Sequence, residues 1–269
     1  MFSKLLVLFI PSIFLFHQPK DTHDCVISVC VGSSSQAGGI PLSPWEPSYF
    51  FVNDMTQFEA VRAQGWTPVF LNVSQIWLGR GPMRMPELNW SASDLENLQA
   101  KYVKILSHQI PELATCDRVL YMDSKLEYTN ETVSELFGYE HRCVTLFRHP
   151  WRTFRGAYMQ EVGDSYNQGR YLRFKKAIEE QIKYHHHESL DGVMHLGGTH
   201  VTNLRNEKAI RFQESWWNET LAYSIQDQLS LFWQLKPFQR CISSWQPMYG
   251  PTKNFIIRFF ETAAAGLKL

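Results

Sequence analysis

Three apolar runs in this chain end in residues able to do chemistry. "RVLYM" (118–122) leads into Asp123, Ser124 and Lys125, "YFFV" (49–52) into Asn53 and Asp54, and "CVTLFRH" (143–149) closes on Arg148 and His149. A buried strand ending in charge delivers a carboxylate, an amine or an imidazole to the rim of a sheet, where proton transfer and ion binding are possible. It is also an ordinary way to leave a core, so each ending alone is neutral evidence. Their recurrence is the physical argument for a site. Two further sets stand out. Lys101, Lys104 and His108 share one face of a helical segment, either as solvated surface or as the wall of an anion site. In "SIQDQLS" (224–230), Ser224 is placed to cap a helix with Asp227 in its first turn, where the dipole favours a carboxylate whether or not it does chemistry.

The elements that must position these residues alternate. "YFFV" and "TPVFLNV" read as strands around a short helix in "TQFEAVRAQG", which Gly65 stops. "SASDLENLQAKYVKILSHQIP" is the best-marked helix, with a capping box expected at Ser93 and Glu96, Pro111 beyond its end, and Leu95, Leu98, Tyr102, Ile105 and Leu106 on one face. The strands ending at Asp123 and His149 follow. A long amphipathic helix is expected over "RYLRFKKAIEEQIKYHHH", with Phe174, Ile178 and Ile182 on one side, then extended chain in "GVMHLGGTHVTNL" and two short helices in "SWWNETLAYSIQDQLSLFWQL". Strands alternating with helices predict an α/β fold with a mainly parallel sheet covered on both faces. In such folds the ligand crevice lies beyond the carboxyl ends of the strands, where Asn53, Asp54, Asp123, Lys125, Arg148 and His149 would converge.

The 269 residues contain 44% hydrophobic and 19% charged residues, enough for a sizeable core. With 26 basic and 26 acidic side chains there is no electrostatic footprint for nucleic acid and no polybasic membrane patch. The apolar run Leu5–Phe16 behind Lys4 is too short for a comfortable membrane span and suits a signal peptide or signal anchor over residues 1–20. Residues 21–47, rich in Ser, Gly and Pro, read as a stalk or linker, and residues 48–269 as the globular domain. Sequons at Asn72, Asn89, Asn130 and Asn218, and five cysteines that allow at most two intrachain disulfides, favour the secretory route. The chain has no P-loop, no G-x-G-x-x-G, no G-x-S-x-G elbow and no H-E-x-x-H. "HHHE" (185–188) is expected as a solvated helix end, because three consecutive helical histidines point 100° apart and cannot face one ion.

The order "AKYVKILSHQIPELATCDRVLYMDSKLEYTN", "FRHPWRTFRGAYMQEVG", "GTHVTNLRNEKAIRFQESWWNETLAYSIQDQLS" resembles the plant turgor-regulation and mucilage-related glycosyltransferase-like family, over about residues 48–235. The resemblance implies a GT-A-like, Rossmann-type three-layer domain acting on a nucleotide sugar in the secretory pathway, in the Golgi lumen. By position it implies donor binding by Asp54, Lys101, Lys104, His108, Asp123 and Lys125. It implies contact with the acceptor or sugar by His149, Arg152, Glu161, His200 and Trp217, and a catalytic role for Asp227 and Gln228. Gln226 stands where that family tends to have arginine. The Asp-x-Asp of metal-dependent GT-A enzymes becomes Asp123-Ser-Lys125, so Mn2+ or Mg2+ at Asp123 loses its second carboxylate, and Lys125 is left to neutralise a diphosphate directly. The expected partners are a nucleotide-sugar donor and a glycan or glycoprotein acceptor, without nucleic acid and with an N-terminal membrane anchor as an option. A catalytically silent luminal glycan-binding protein of the same fold and a nucleotide-sugar hydrolase are the rival readings.

Overall fold

The computed structural model describes residues 22–32, 39–71, 91–139, 143–149, 152 and 155–245. The N-terminal apolar run and the sequons at Asn72 and Asn89 lie outside them. A seven-stranded sheet runs in the order β3-β2-β1-β4-β6-β5-β7. Its strands are β1 (Asp24–Cys30), β2 (Ser48–Val52), β3 (Thr67–Phe70), β4 (Arg118–Met122), β5 (Val144–Arg148), β6 (His195–Asn203) and β7 (Ile242–Trp245). The pairs β1/β2, β2/β3, β1/β4 and β5/β7 are parallel, and only β6 runs against its neighbours β4 and β5. The sheet is therefore mainly parallel, as the alternation of elements required.

Period-two alternation sends side chains to both faces. On one face Cys25, Ile27, Phe51, Val119 and Tyr121 meet Val103 of α2 (Ala92–Ile105). On the other, Val26, Phe50, Leu120 and Met122 meet Val61 of α1 (Phe58–Ala63) and Val133 and Leu136 of α3 (Asn130–Gly138). The first face continues into a larger core where α2 packs with α4 (Ala157–Asn167), α5 (Gly169–Leu172), α6 (Lys175–Tyr184), α7 (Glu207–Tyr223) and α8 (Asp227–Gln234), around the fully buried Trp216, Tyr158 and Phe212. The result is three layers.

Several expectations need correction. Residues 21–47 are not simply a linker: Asp24–Cys30 forms an inner strand of the sheet, Val26 N–H donates to Pro47 at 3.1 Å, Trp45 Nε1 donates to the Asp24 carbonyl at 3.0 Å, and Trp66 Nε1 to that of Pro41 at 2.7 Å. The seven-residue run is disguised by its Ser/Gly/Pro flanks. The capping box of α2 is Ser91 with Asp94, each accepting from the other's backbone N–H at 3.2 and 2.7 Å, two residues earlier than expected. The long helix expected over 170–187 is broken between α5 and α6 at Arg173–Phe174, and Phe174 is buried. Disulfides join Cys25 to Cys116 and Cys143 to Cys241, leaving Cys30 as the free thiol. No helix among the described residues is long and apolar enough to cross a membrane.

Candidate functional site

The chain crosses the sheet outward from β1 to β2 to β3, then returns to the other side of β1 to lay down β4. This reversal is a switch point, where flanking connections leave toward opposite faces and open a crevice at the strand ends. Cys30 and Asp123 lie at those ends. β6 runs antiparallel to β4 and so brings His195, Leu196, Gly197 and Gly198 to the same rim.

Asp123 is tightly framed. Its backbone N–H donates to the Gly198 carbonyl at 2.9 Å, and its carboxylate accepts from the Tyr121 hydroxyl at 2.8 Å. A Cβ on Gly198 would sit 2.6 Å from Asp123 Oδ2, so the glycine is what makes room for the carboxylate. Burial raises the Asp123 pKa, but the ammonium groups of Lys104 and Lys125 outweigh it and leave the carboxyl below its ordinary value. Lys125 is exposed, with its Nζ 3.8 Å from Asp123 Oδ2.

One residue along β6, a Cβ on Gly197 would lie 3.2 Å from Lys104 Nζ and 3.3 Å from Asp227 Oδ2. The two glycines thus separate Asp123 from a buried triad. Asp227, 4% exposed, is gripped by Lys101 on one carboxylate oxygen and by Lys104 on the other at 2.6 Å. The basic stripe of α2 is therefore not solvated: Lys101 and Lys104 point inward at an anion. Burial alone would raise the Asp227 pKa, whereas the two ammonium groups hold the carboxyl far below the usual carboxylate range. Asp227 opens α8, as expected. The cap is Gln226 rather than Ser224, whose Oγ instead accepts from the Gln226 N–H at 3.0 Å. Trp216 Nε1 donates to the Asp227 carbonyl at 2.8 Å and fixes the start of the helix.

The residues flanking Asp227 reach α4. Gln226 Nε2 donates to Glu161 at 3.2 Å and to Ser165 Oγ at 3.0 Å, and Gln228 Nε2 reaches the other Glu161 oxygen at 3.4 Å. Glu161 also pairs with Arg152, which Asp164 shares, and the Arg152 N–H donates to His149 Nδ1 at 3.2 Å. Arg152, Glu161, Gln228 and His149 are thereby linked to the start of α8. Burial, then the charge of Arg152, lowers the His149 pKa to about 4, which keeps the ring neutral at physiological pH. His200 is held beneath the triad: Nε2 faces the Lys104 carbonyl at 3.1 Å, and the ring stacks on Tyr121 with centroids 5.4 Å apart. Its pKa falls to about 4, mainly by burial and then by the charge of Lys104.

Other candidates lie apart from this centre. Asp54 caps the short turn Met55–Gln57, accepting from Thr56 N–H at 2.9 Å, and borders a shallow depression with Gly39, Ile40 and Gln64. His108 bonds Gln213 of α7 at 2.7 Å, and Trp217 packs edge-on against Tyr102 at 5.9 Å. Trp217 thus joins α7 to α2, whereas His108 lies past the end of α2 in the 3-10 turn Ser107–Gln109 and ties that turn to α7. The "HHHE" stretch also differs from expectation. His185 is buried, stacked on Trp233 at 4.3 Å, with one ring nitrogen 3.1 Å from Glu188 and the other 2.9 Å from Glu219. The reading from sequence missed Gly197 and Gly198 as spacers, Tyr121, Trp216, and the thiol of Cys30, which is bonded to Ser124. Gly-Gly within a strand is itself a signal of close approach.

A divalent cation would find one carboxylate at the strand end, Asp123, with the ammonium groups of Lys104 and Lys125 acting on it. Among the described residues no three His, Cys, Asp or Glu side chains converge to hold a metal. The described residues do not supply a metal site of three protein ligands, and the chemistry proposed for them runs through their own side chains.

No family model matches the chain, and no curated relative is found. Solved structures similar to it include mouse xyloside xylosyltransferase 1 in its apo form, with 13% identity, a TM-score of 0.49, and coverage of 83% of this chain and 84% of that one. A second is the apo WbbM bifunctional glycosyltransferase, with 12% identity and a TM-score of 0.49, covering 85% of this chain and 40% of that one. A third is core-mannan synthase A from Aspergillus fumigatus in its Mn/GDP form, with 10% identity and a TM-score of 0.41, covering 84% of this chain and 73% of that one.

Proposed function

We propose that the protein is a glycosyltransferase that moves a sugar from a nucleotide-sugar donor to a hydroxyl of a glycan or glycoconjugate, in the lumen of the secretory pathway and most simply the Golgi. The observation that carries this reading is the pair Asp123 and Asp227, set on either side of Gly197–Gly198 at the switch point with Lys104 between them. Transfer breaks the bond between the anomeric carbon and a phosphate oxygen, and forms one from that carbon to the acceptor oxygen. Negative charge grows on the leaving diphosphate and positive charge on the sugar. The site supplies cations for the first, in Lys101, Lys104 and Lys125, and a carboxylate for the second, in Asp227. In an inverting reaction Asp227 takes the acceptor proton; in a retaining one it stabilises the oxocarbenium ion. Asp123 is assigned to the donor ribose, and the Arg152–Glu161–Gln228 group and His149 to the sugar and acceptor side.

The resemblance of the residue order to the plant turgor-regulation and mucilage-related family agrees with this reading, and the disulfides Cys25–Cys116 and Cys143–Cys241 support an oxidising compartment. The test is nucleotide release from a panel of nucleotide sugars, with Asp123→Ala and Asp227→Ala beside the wild type. Release of one nucleotide, lost in both variants, is the expected result. The engagement of Asp227 by two lysines also favours a second reading, a silent glycan binder. Folded protein that neither releases nor binds any nucleotide, but binds a glycan, would establish that alternative.

A further inference from the structure

Asp227 cannot act as a free carboxylate while Lys101 and Lys104 grip it, and this constraint bears on how the site is controlled. Three ammonium groups, those of Lys101, Lys104 and Lys125, face two carboxylates, Asp123 and Asp227, so the cluster carries one positive charge in excess. The unbalanced charge is that of Lys125, whose side chain is 56% exposed and within reach of an anion from solvent. Lys104 acts on both acids: its ammonium is bonded to Asp227 and is the strongest favourable charge on Asp123. Gly197 leaves open the space beside Lys104 Nζ that a Cβ, 3.2 Å away, would fill.

The geometry points to a charge-exchange latch, in which the diphosphate of a nucleoside diphosphate takes Lys104 from Asp227 and so releases that carboxylate for chemistry. This rests on the transferase reading and adds its control. Before the donor binds, Asp227 is neutralised and a poor base, so water at the site is not activated. Once a diphosphate shares the lysines, the Asp227 carboxyl returns toward ordinary basicity, and the step is an exchange of ion-pair partners with no bond made or broken. No Cβ at position 197 obstructs the short movement that Lys104 would make.

The experiment is calorimetric titration of the full chain with UDP, GDP and inorganic pyrophosphate, for the wild type and Asp227→Asn. The latch requires that removing the competing charge tightens diphosphate binding, by about tenfold for one charge-assisted contact, whereas Lys104→Gln weakens it. Equal or weaker binding by Asp227→Asn overturns the latch and leaves the transferase reading standing. Absence of binding by the folded wild type removes both. If Asp227→Asn does not fold, the side-chain carboxyl carbon of Asp227 in the wild type reports the same point by NMR. Its titration midpoint must rise when pyrophosphate is added, and an unchanged midpoint refutes the exchange.

Discussion

At the scale of the residue, the candidate site depends on what is missing as much as on what is present. Gly198 has no Cβ, and Asp123 Oδ2 uses that space. Gly198→Ala is therefore expected to push the carboxylate off the Tyr121 hydroxyl and cut nucleotide release by about tenfold or more, the equivalent of one lost charge-assisted contact. Gly163, exposed in α4 with nothing within 4 Å of the place a Cβ would take, is the control: Gly163→Ala should raise unfolding free energy by about 0.5–1 kcal/mol, measured by urea denaturation. The cations at Asp123 lead to a further expectation: stripping metal with EDTA should leave nucleotide release within about twofold. A loss restored by Mn2+ would show that the lysines do not neutralise the diphosphate. At this scale much was legible. A strand ending singled out Asp123 and Lys125, a helix start Asp227, and helix periodicity the stripe of Lys101 and Lys104, which was left open between solvated surface and the wall of an anion site. That Lys101 and Lys104 point at Asp227 was not legible, because the two sets lie over a hundred residues apart in sequence and only packing joins them.

At the scale of the element, α8 carries the triad aspartate at one end, and near its other end Trp233 stacks on the His185 ring. With Glu188 and Glu219 on its two nitrogens, His185 can donate to both only as the imidazolium. Burial lowers its pKa, but the hydrogen bonds and charges of Glu219 and Glu188 outweigh burial and leave it above the ordinary value. Gln181 also donates to Glu219 at 2.7 Å, and Lys236 lies 3.6 Å from Glu188. A histidine with a raised folded pKa stabilises fully below its unfolded value near pH 6.5 and loses that contribution as pH rises through the folded value. Thermal unfolding should therefore show a decline in stability above that range that His185→Gln removes. A pH profile identical in the two proteins would rule out the clamp. The sequence suggested a solvated end here because three adjacent histidines look alike. Which of them turned inward was set by Trp233 and Glu219, on other helices.

For the whole molecule, the two disulfides close the chain over separations of 91 and 98 residues. Cys25–Cys116 fastens the inner strand β1 to the chain entering β4, and Cys143–Cys241 fastens the chain entering β5 to that entering β7. Cys25→Ser with Cys116→Ser should cost about 2–5 kcal/mol in denaturant unfolding, since long loops lose the most when opened. A change under about 1 kcal/mol would mean that β1 is held by packing alone. The alternation of elements was readable from β2 to β6, whose runs are β-branched or aromatic or punctuated by glycine. β1 was not, since its apolar run is flanked by linker-like composition. β7 also escaped notice: only one of its residues, Trp245, is buried, so its apolar signal is weak. The antiparallel course of β6 could not be read from local pattern, yet it brings Gly197 and Gly198 to the rim.

Transfer would show itself in the mass of the acceptor. The full chain would be incubated with each nucleotide sugar and a set of luminal glycans, and the products read by mass spectrometry. The expected result is a gain of one sugar residue on one acceptor class, matched by one equivalent of nucleoside diphosphate and absent with Asp227→Ala. Nucleotide released with free sugar and no acceptor gain would contradict transfer and identify a hydrolase.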